Sequence, residues 1–121
     1  MTGQEVQIEA PDLARQIAAT ASDMLATDIV VLDIQSLSSI ADYFVICSAD
    51  NVRQLGAIAE QVERTLRDEG VRPARREGQP ASGWIVLDYS SVMVHLMTVE
   101  LRDFYRLEEL WSEAPRLLVI Q

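Results

Sequence analysis

Apolar residues recur every three or four positions in two stretches of the chain, which is the spacing of one helical face. The first stretch follows Pro11, which suits the opening turn of a helix because its missing N–H is not needed there. This pattern predicts a helix over residues 11–26. The second stretch follows Asn51 and Gln54, whose spacing resembles a capping box. A second helix is therefore predicted from this point to Gly70.

Short apolar runs between and after these helices predict strands. Residues 29–34 and 43–48 are apolar on both faces, as in strands covered on two sides. The connection between them is too short for a helical crossover, which predicts an antiparallel pair. A strand at 71–77 follows the second helix, and such a strand–helix–strand unit predicts parallel strands. Residues 84–89 and 92–98 flank a short polar turn and predict a hairpin.

The strand at 92–98 is apolar on both of its faces, so it is predicted to lie inside the sheet. Its alternation places two sets of side chains on opposite sides, Val92, Val94 and Leu96 against Met93, His95 and Met97. Apolar positions over 101–111 predict one broken helix or two short ones. Residues 117–120 are apolar and fit either an added strand or a segment packed on the core.

Composition favours one domain. The chain has 121 residues, 49% of them hydrophobic, which is enough to fill the core of a domain of this length. No repeat, low-complexity tract or linker divides it. We therefore predict an α/β fold with a mixed β-sheet of about five strands flanked by helices. The single domain spans 1–121, with a core at about 11–114 and a tail at 115–121.

The charge of the chain limits its partners. Acidic side chains number 19 and basic ones 10, all of them arginine, which gives a formal net charge of -9. A surface this negative repels nucleic-acid phosphate and anionic lipid, and it attracts basic proteins. No apolar run approaches the roughly 20 residues of a spanning helix, and the first residues have no secretory or transit pattern. We expect a cytoplasmic protein with no membrane partner.

The arginines fall into two groups of interest. On the second helix two acid–arginine pairs are four residues apart and are expected to form ion pairs, Glu60 with Arg64 and Glu63 with Arg67. A basic cluster follows at Arg72, Arg75 and Arg76. Charged side chains that protect an edge strand explain this cluster better than RNA contact, because no aromatic residue lies among them to stack on bases. Contact with RNA stays open.

Catalytic chemistry has little support in the sequence. Two-metal sites favour carboxylates two apart on one strand, and no acidic pair has that spacing, although Asp33 and Asp88 could converge from different strands. Cys47 lies in an apolar strand, where a thiol is usually buried with a raised pKa. His95 is interpreted as a core histidine bonded to a backbone carbonyl. With one cysteine, one histidine and no glycine-rich phosphate loop, we expect no disulfide, zinc site or cofactor.

Aromatic and acidic residues cluster in the second half of the chain. The aromatic members are Trp84, Tyr89, Tyr105 and Trp111, and the acidic ones are Asp103, Glu108, Glu109 and Glu113. Exposed together, they would form aromatic anchors with a negative rim, which suits a basic protein partner. Aromatic residues at helical spacing also commonly lie in the core. Both interpretations are open on composition alone.

Four strings resemble the Iojap family of bacterial ribosomal silencing factors, in order and at similar spacing. They are SSIADYFVIC, the pair Arg53-Gln54, GWIVLDYSSVMVHLM and FYRLEELW, and the resemblance runs from the first helix through Trp111. It implies a nucleotidyltransferase-like fold without the catalytic apparatus. It also implies binding to the large ribosomal subunit through its ribosomal protein fourteen, a basic protein, so that the small subunit cannot join and translation is repressed. A homodimer is implied for the free protein.

The expected role is therefore steric, with no enzyme activity. The residues expected to contact the partner, or to support that contact, are Asp42, Trp84, Asp88, His95, Met97, Tyr105 and Trp111. Two alternatives stay open. One is a small metal-dependent nucleotidyl or phosphoryl transferase that uses Asp33 and Asp88. The other is a homodimeric scaffold whose aromatic patch meets only its own copy.

Overall fold

A mixed β-sheet runs through the centre of the structure, a computed structural model that describes residues 8–121. Its six strands are β1 (Thr27–Asp33), β2 (Tyr43–Ala49), β3 (Arg75–Glu77), β4 (Trp84–Asp88), β5 (Val92–Thr98) and β6 (Arg116–Ile120). Their order across the sheet is β3-β4-β5-β2-β1-β6. Strands β2 and β5 are parallel, and every other neighbouring pair is antiparallel. The predicted mixed α/β architecture is confirmed.

Helices cover the two faces of the sheet unequally. The long helices α1 (Ala10–Asp23) and α2 (Val52–Asp68) pack together on one face, where they enclose the larger core with alternate side chains of the strands. Of the described residues, the helices on the other face are only α3 (Val99–Tyr105) and α4 (Leu107–Leu110), which are the two short helices foreseen as one possibility. Within residues 8–121 no helix is both long and apolar enough to cross a bilayer.

One glutamine side chain joins the two long helices. Asn51 caps α2, because its Oδ1 accepts a hydrogen bond from the Gln54 N–H at 2.9 Å. The reciprocal bond of the expected capping box goes instead to the Asp50 N–H, at 2.7 Å from Gln54 Oε1. The amide of Gln54 also donates to the carbonyls of Met24 and Leu25, just after α1, at 3.3 and 3.0 Å. The start of α2 is thereby tied to the end of α1.

The strand after α2 is shorter than predicted. Residues 71–77 were expected to form it, but pairing begins only after Pro73, which has no N–H to donate to a ladder. The Ala74 N–H then donates to the Asp88 carbonyl at 2.7 Å, and β3 pairs with β4 at one edge of the sheet. Although β3 runs parallel to β2, β4 and β5 lie between them. The edge position predicted for the arginine cluster is confirmed for Arg75 and Arg76.

The C-terminal tail is the sixth strand. Of the two possibilities for residues 117–120, the structure shows an added strand, because β6 pairs antiparallel with β1. Leu118 lies opposite Val31, and Leu117, Leu118 and Ile120 pack against the larger core. This pairing makes β1 an internal strand, as its two apolar faces indicated.

Candidate functional site: an aromatic face of the sheet

The thinly covered face of the sheet is built by strand alternation. Cross-strand partners in antiparallel strands point to the same side. Three such pairs from β4 and β5 face α3 and α4, namely Trp84 with Met97, Val86 with His95 and Asp88 with Met93. Across the parallel pair, Phe44 of β2 lies in register with Met93 and faces the same way. The predicted alternation of β5 is confirmed.

Five rings form a continuous line across this face, which we call the aromatic row. Trp84 is the second ring from one end, with ring centroids 5.1 Å from Tyr105 and 6.0 Å from His95. The His95 ring contacts Phe44 at 4.7 Å, and Phe44 contacts Trp111 at 5.2 Å. The contacts are tilted or edge-to-face, which are the arrangements that aromatic pairs prefer. The row therefore connects β4, β5 and β2 with the helical segment above them.

His95 is held in the row by a neighbouring side chain. Its Nδ1 accepts a hydrogen bond from the Trp84 indole N–H at 3.3 Å, in place of the backbone carbonyl interaction that was expected. Burial lowers the pKa of His95 from 6.5 to about 4, so the ring is neutral at pH 7. Its Nε2 is buried and has no hydrogen-bond partner within the described part of the chain. His95 thus acts as a buried support for Trp84.

A buried arginine fixes α3 and α4 to the sheet. Arg102 donates to Glu108 Oε2 from Nε at 3.0 Å and from Nη2 at 2.7 Å. Its Nη1 donates to Ser48 Oγ at 3.0 Å and to the carbonyl of Asp28. Burial pushes the pKa of Glu108 upward, but the hydrogen bonds and charge of Arg102 outweigh it and lower this pKa overall. The pair positions the segment that carries Tyr105 and Trp111.

Gly83 allows α3 to approach the sheet beside the row. Its φ is +81°, and a Cβ at this position would lie 2.8 Å from Leu101 Cδ1 and 3.2 Å from Thr98 Oγ1. Thr98 also caps α3 by accepting a hydrogen bond from the Leu101 N–H at 3.4 Å. A residue without a side chain is therefore needed directly before Trp84 for this close packing.

The aromatic row is partly accessible from outside. Trp84 and Trp111 are half-buried, and Tyr105 keeps 50% of its surface exposed. Phe104 and Leu110 lie next to the row in sequence, and each is 76% exposed. Large apolar side chains that remain exposed together mark an interaction surface more often than single exposed ones do. This face therefore offers anchors that a partner could cover.

Each end of the row has a recess with an acidic residue in its lining. The recess at the Tyr105 end has a volume of about 430 Å³ and is lined chiefly by Glu77, Trp84, Val86, Leu101 and Tyr105. The recess at the Trp111 end has a volume of about 260 Å³ and is lined by Leu37, Leu110, Trp111, Ser112 and Glu113. The recess at the Tyr105 end is mainly apolar, and an apolar recess with a negative rim suits a basic side chain that has a long apolar stem.

The structure brings together four of the seven predicted contact residues, Trp84, His95, Tyr105 and Trp111. Met97 lies opposite Trp84 but is fully buried, so it can only support the face. The other two are acidic. Asp88 faces the same side, where its Oδ1 accepts from the Ser90 N–H at 2.8 Å and its Oδ2 lies 3.7 Å from Arg75.

Two residues of the earlier predictions lie apart from the row. Asp42 is exposed just before β2, where its N–H donates to the Ser91 carbonyl at 2.8 Å, and it makes no ring contact. Tyr89, a member of the predicted aromatic cluster, packs in the larger core on the opposite face.

The carboxylates of the transferase alternative do not converge. Asp33 on β1 is paired with Tyr43 and faces the larger core, whereas Asp88 on β4 faces the aromatic row. Two strands separate them, which corresponds to roughly 14 Å at the usual strand spacing. Asp33 Oδ1 instead accepts the Gln35 N–H at 3.0 Å. Each carboxylate thus stabilises a local turn.

Two further observations on residues 8–121 bear on the catalytic alternatives. The structure contains no cluster of three His, Cys, Asp or Glu side chains there that could hold a metal ion. Burial raises the pKa of the Cys47 thiol to about 12, and the charge of Arg102 offsets this only in part. Cys47 is therefore the buried, unreactive thiol that its apolar strand predicted.

Three important residues were missed by the sequence interpretation. Phe44 joins the His95 and Trp111 ends of the row, Phe104 adds exposed apolar surface, and Arg102 anchors the helices. The signal for Phe44 was present, because alternation along β2 separates it from Tyr43 and Val45. Nothing local distinguished Arg102 from the other arginines, since two of its three partners, Asp28 and Ser48, come from distant parts of the chain.

The fold and the aromatic row define a small α/β domain whose candidate site is a surface for binding a partner. A profile of the family described as ribosomal silencing factor during starvation matches residues 7–120. The chain belongs to this family, which confirms the resemblance seen in its sequence. The match continues through the tail, beyond the segment that the resemblance covered.

Individual relatives agree with this assignment. The ribosomal silencing factor RsfS of Bacillus subtilis is 36% identical over 98 residues, which cover 81% of this chain and 83% of the relative. RsfS of Halalkalibacterium halodurans is 35% identical over 101 residues, with coverages of 83% and 86%. A crystal structure of a Chromobacterium violaceum protein superposes with a TM-score of 0.83 at 30% identity and covers 87% of this chain and 88% of that one.

Proposed function

We propose that the chain represses translation by binding the large ribosomal subunit through ribosomal protein fourteen and keeping the small subunit from joining. Membership of the silencing-factor family supports the biological role. The observation that supports this surface as the contact is the aromatic row, which α3 and α4 leave half-covered. The domain then acts by occupying space, and no bond of the partner is made or broken.

The charge of the chain supports a basic protein as the partner. Glu77 and Glu113 stand at the recesses on either end of the row, and the chain carries a net charge of -9. Such a field speeds and orients the encounter with a positive surface, whereas affinity comes mainly from buried anchors. In this arrangement Trp84, Tyr105 and Trp111 are the anchors.

The remaining predicted residues have different roles in the proposal. His95 and Met97 are buried and hold Trp84 from below. Asp88 and Asp42 are acidic complements at the margin, with Asp88 already engaged by Arg75 and Asp42 exposed. A partner's basic side chain would compete with Arg75 for Asp88.

A subunit-joining experiment tests the proposal directly. Purified small and large subunits are mixed with increasing amounts of the protein, and joined particles are separated on a sucrose gradient. We expect the joined peak to fall as the protein saturates, and the protein to co-sediment with the large subunit alone. Full joining at saturating protein would contradict the proposed function.

The free protein is predicted to be a homodimer, and a substitution in the aromatic row tests whether the two copies meet there. If a second copy covers the aromatic row, replacing Trp84 should shift the sedimentation equilibrium towards the monomer. If the copies meet elsewhere, the equilibrium should be unchanged while binding to the large subunit is lost. The first result would make dimerisation and ribosome binding mutually exclusive.

A further inference from the structure

Three arginines converge on a cleft behind the sheet, on the side away from the aromatic row. Arg64 and Arg67 are three residues apart on α2 and so share one helical face. Arg76 of β3 is paired with Leu87, whose side chain lies in the core under α2, so Arg76 faces the same side. The cleft has a volume of about 280 Å³ and is lined by Glu60, Glu63, Arg64, Arg67 and Arg76.

Two of these arginines are left without an acidic partner. Neither ion pair expected from spacing, Glu60 with Arg64 or Glu63 with Arg67, forms, and Glu63 binds Arg76 across the cleft instead of Arg67. Among residues 8–121, neither Arg64 nor Arg67 has a carboxylate oxygen within 4.0 Å. In a chain with 19 acidic side chains, adjacent unpaired guanidinium groups facing one recess indicate a place for an external anion.

A buried hydroxyl lies beside the same charges. Tyr89 is 7% exposed, and its OH has no hydrogen-bond partner in the described part of the chain. Burial raises the pKa of Tyr89, and the charge of Glu63 adds to the rise while Arg67 and Arg76 oppose it. The hydroxyl is therefore within electrostatic reach of the cleft. Tyr89 does not itself line the cleft, so its hydroxyl supports the site only through its place beside these charges.

We propose that the cleft binds a small ligand through a phosphate or diphosphate group, held by Arg64, Arg67 and Arg76. Guanidinium forks match the oxygens of a phosphate in paired hydrogen bonds. Sites for drug-sized ligands measure about 300–1,000 Å³, so this cleft suits the phosphate end of a ligand with the rest in solvent.

A free phosphate ligand fits the observations better than an RNA backbone does. The arginines surround one recess, no aromatic side chain lines it, and the chain as a whole carries a charge of -9. A long polyanion meets that whole field, whereas a small anion meets mainly the local site. The inference concerns the face opposite the row and does not depend on the proposed function.

Calorimetric titration of the full chain with inorganic pyrophosphate at low ionic strength tests the proposal. We expect saturable binding that becomes about ten- to a hundredfold weaker in Arg64→Gln and in Arg67→Gln. Arg72→Gln is the matched control, because it removes the same charge from an exposed residue outside the cleft. Thermal unfolding of each variant without ligand checks that the exposed substitutions leave the fold intact.

Three results would overturn the proposal. The first is the absence of saturable pyrophosphate binding to the unaltered chain. The second is an equal loss of affinity in Arg72→Gln, which would indicate general charge attraction. The third is a mixed-sequence RNA duplex that displaces pyrophosphate at equal phosphate concentration and depends on the same arginines. A duplex that fails to displace it supports a small phosphate ligand.

Discussion

At the scale of single residues, Trp84 and His95 provide each other with a hydrogen-bond partner. An indole N–H at a half-buried position needs an acceptor, and a buried imidazole provides one only when it is neutral. The lowered pKa of His95 therefore serves the hydrogen bond from Trp84, whose ring is held towards Tyr105. A pre-positioned aromatic anchor loses less side-chain freedom when a partner covers it.

Replacing Trp84 should weaken partner binding more than it disturbs the fold. We expect Trp84→Ala to cost about 2 kcal/mol or more in binding to the large subunit, as a hot-spot residue does. Leu25→Ala is the control, because it also shortens an exposed apolar residue but lies at the end of α1. Affinities come from co-sedimentation with purified large subunits. Equal affinities for both variants, with both folded by circular dichroism, would argue against the row.

His95 should make stability depend on pH in a defined window. Its pKa is lowered from 6.5 to about 4, so below 6.5 the unfolded chain takes up a proton that the folded chain does not. Stability should therefore fall by about 2 kcal/mol between about pH 7 and pH 5. In His95→Gln this loss should be absent. Urea unfolding at both pH values measures the difference, and parallel losses in the two proteins would contradict the assignment.

At the scale of elements, one side chain ties the start of α2 to the end of α1. The single side chain of Gln54 accepts from a backbone N–H before α2 and donates to two carbonyls after α1. Groups at helix ends that lack internal partners are satisfied at both places. The amide of Gln54 therefore adds a hydrogen-bonded tie to the packing of apolar side chains that holds α1 against α2.

Removing that amide should cost more than removing a similar one nearby. We expect Gln54→Ala to lower the free energy of unfolding by about 1–3 kcal/mol, because capping groups of both helices lose their partner. Gln61→Ala is the matched control on α2, where the side chain donates only to Thr65 Oγ1. We expect it to cost less than about 0.5 kcal/mol. Urea unfolding compares the two, and equal costs would contradict this role of Gln54.

Most elements could be predicted from periodicity, because alternation and helical spacing are local properties. The exceptions have physical causes. Pro73 shortens β3 because it has no N–H to donate to the ladder. The few apolar residues of β6 fit a strand or a packed segment equally well, and only the free edge of β1 decides for a strand. Glu63 pairs with Arg76 of β3 and not with Arg67 of its own helix, and helical spacing cannot reveal a pairing with another element.

The candidate site was harder to predict than the fold. Trp84, Tyr105 and Trp111 were identified by residue type, but their assembly into one row depends on strand order and on Phe44 from β2. The anchoring of Trp111 depends on Arg102, whose partners lie in β1, in β2 and in α4. Contacts between distant segments carry no signal in a single sequence.

At the scale of the whole molecule, the two sides of the sheet differ in chemistry. One side presents rings with glutamates at either end, and the other presents a cleft lined by three arginines and two glutamates. The net charge is a sum over both and hides this division. A basic partner is drawn to one side while the opposite side keeps its positive groups free of that contact.

Charge reversal at the rim should slow association with the large subunit. We expect Glu113→Lys to lower the association rate constant severalfold at low salt, with the effect shrinking as salt is added. Asp68→Lys changes the net charge equally but lies at the end of α2, away from the row, so its effect should be smaller. Stopped-flow measurement with large subunits compares them. Equal slowing would show that only total charge matters.

The pairing of β6 with β1 has a practical consequence for anyone who shortens or tags this protein. Deleting the last few residues would strip β1 of its neighbour and leave a long apolar strand with unpaired backbone groups at an open border. Open sheet edges pair with strands of other molecules, so the shortened protein should aggregate during expression. Fusions are therefore better attached through a spacer after Gln121 than in place of the final strand.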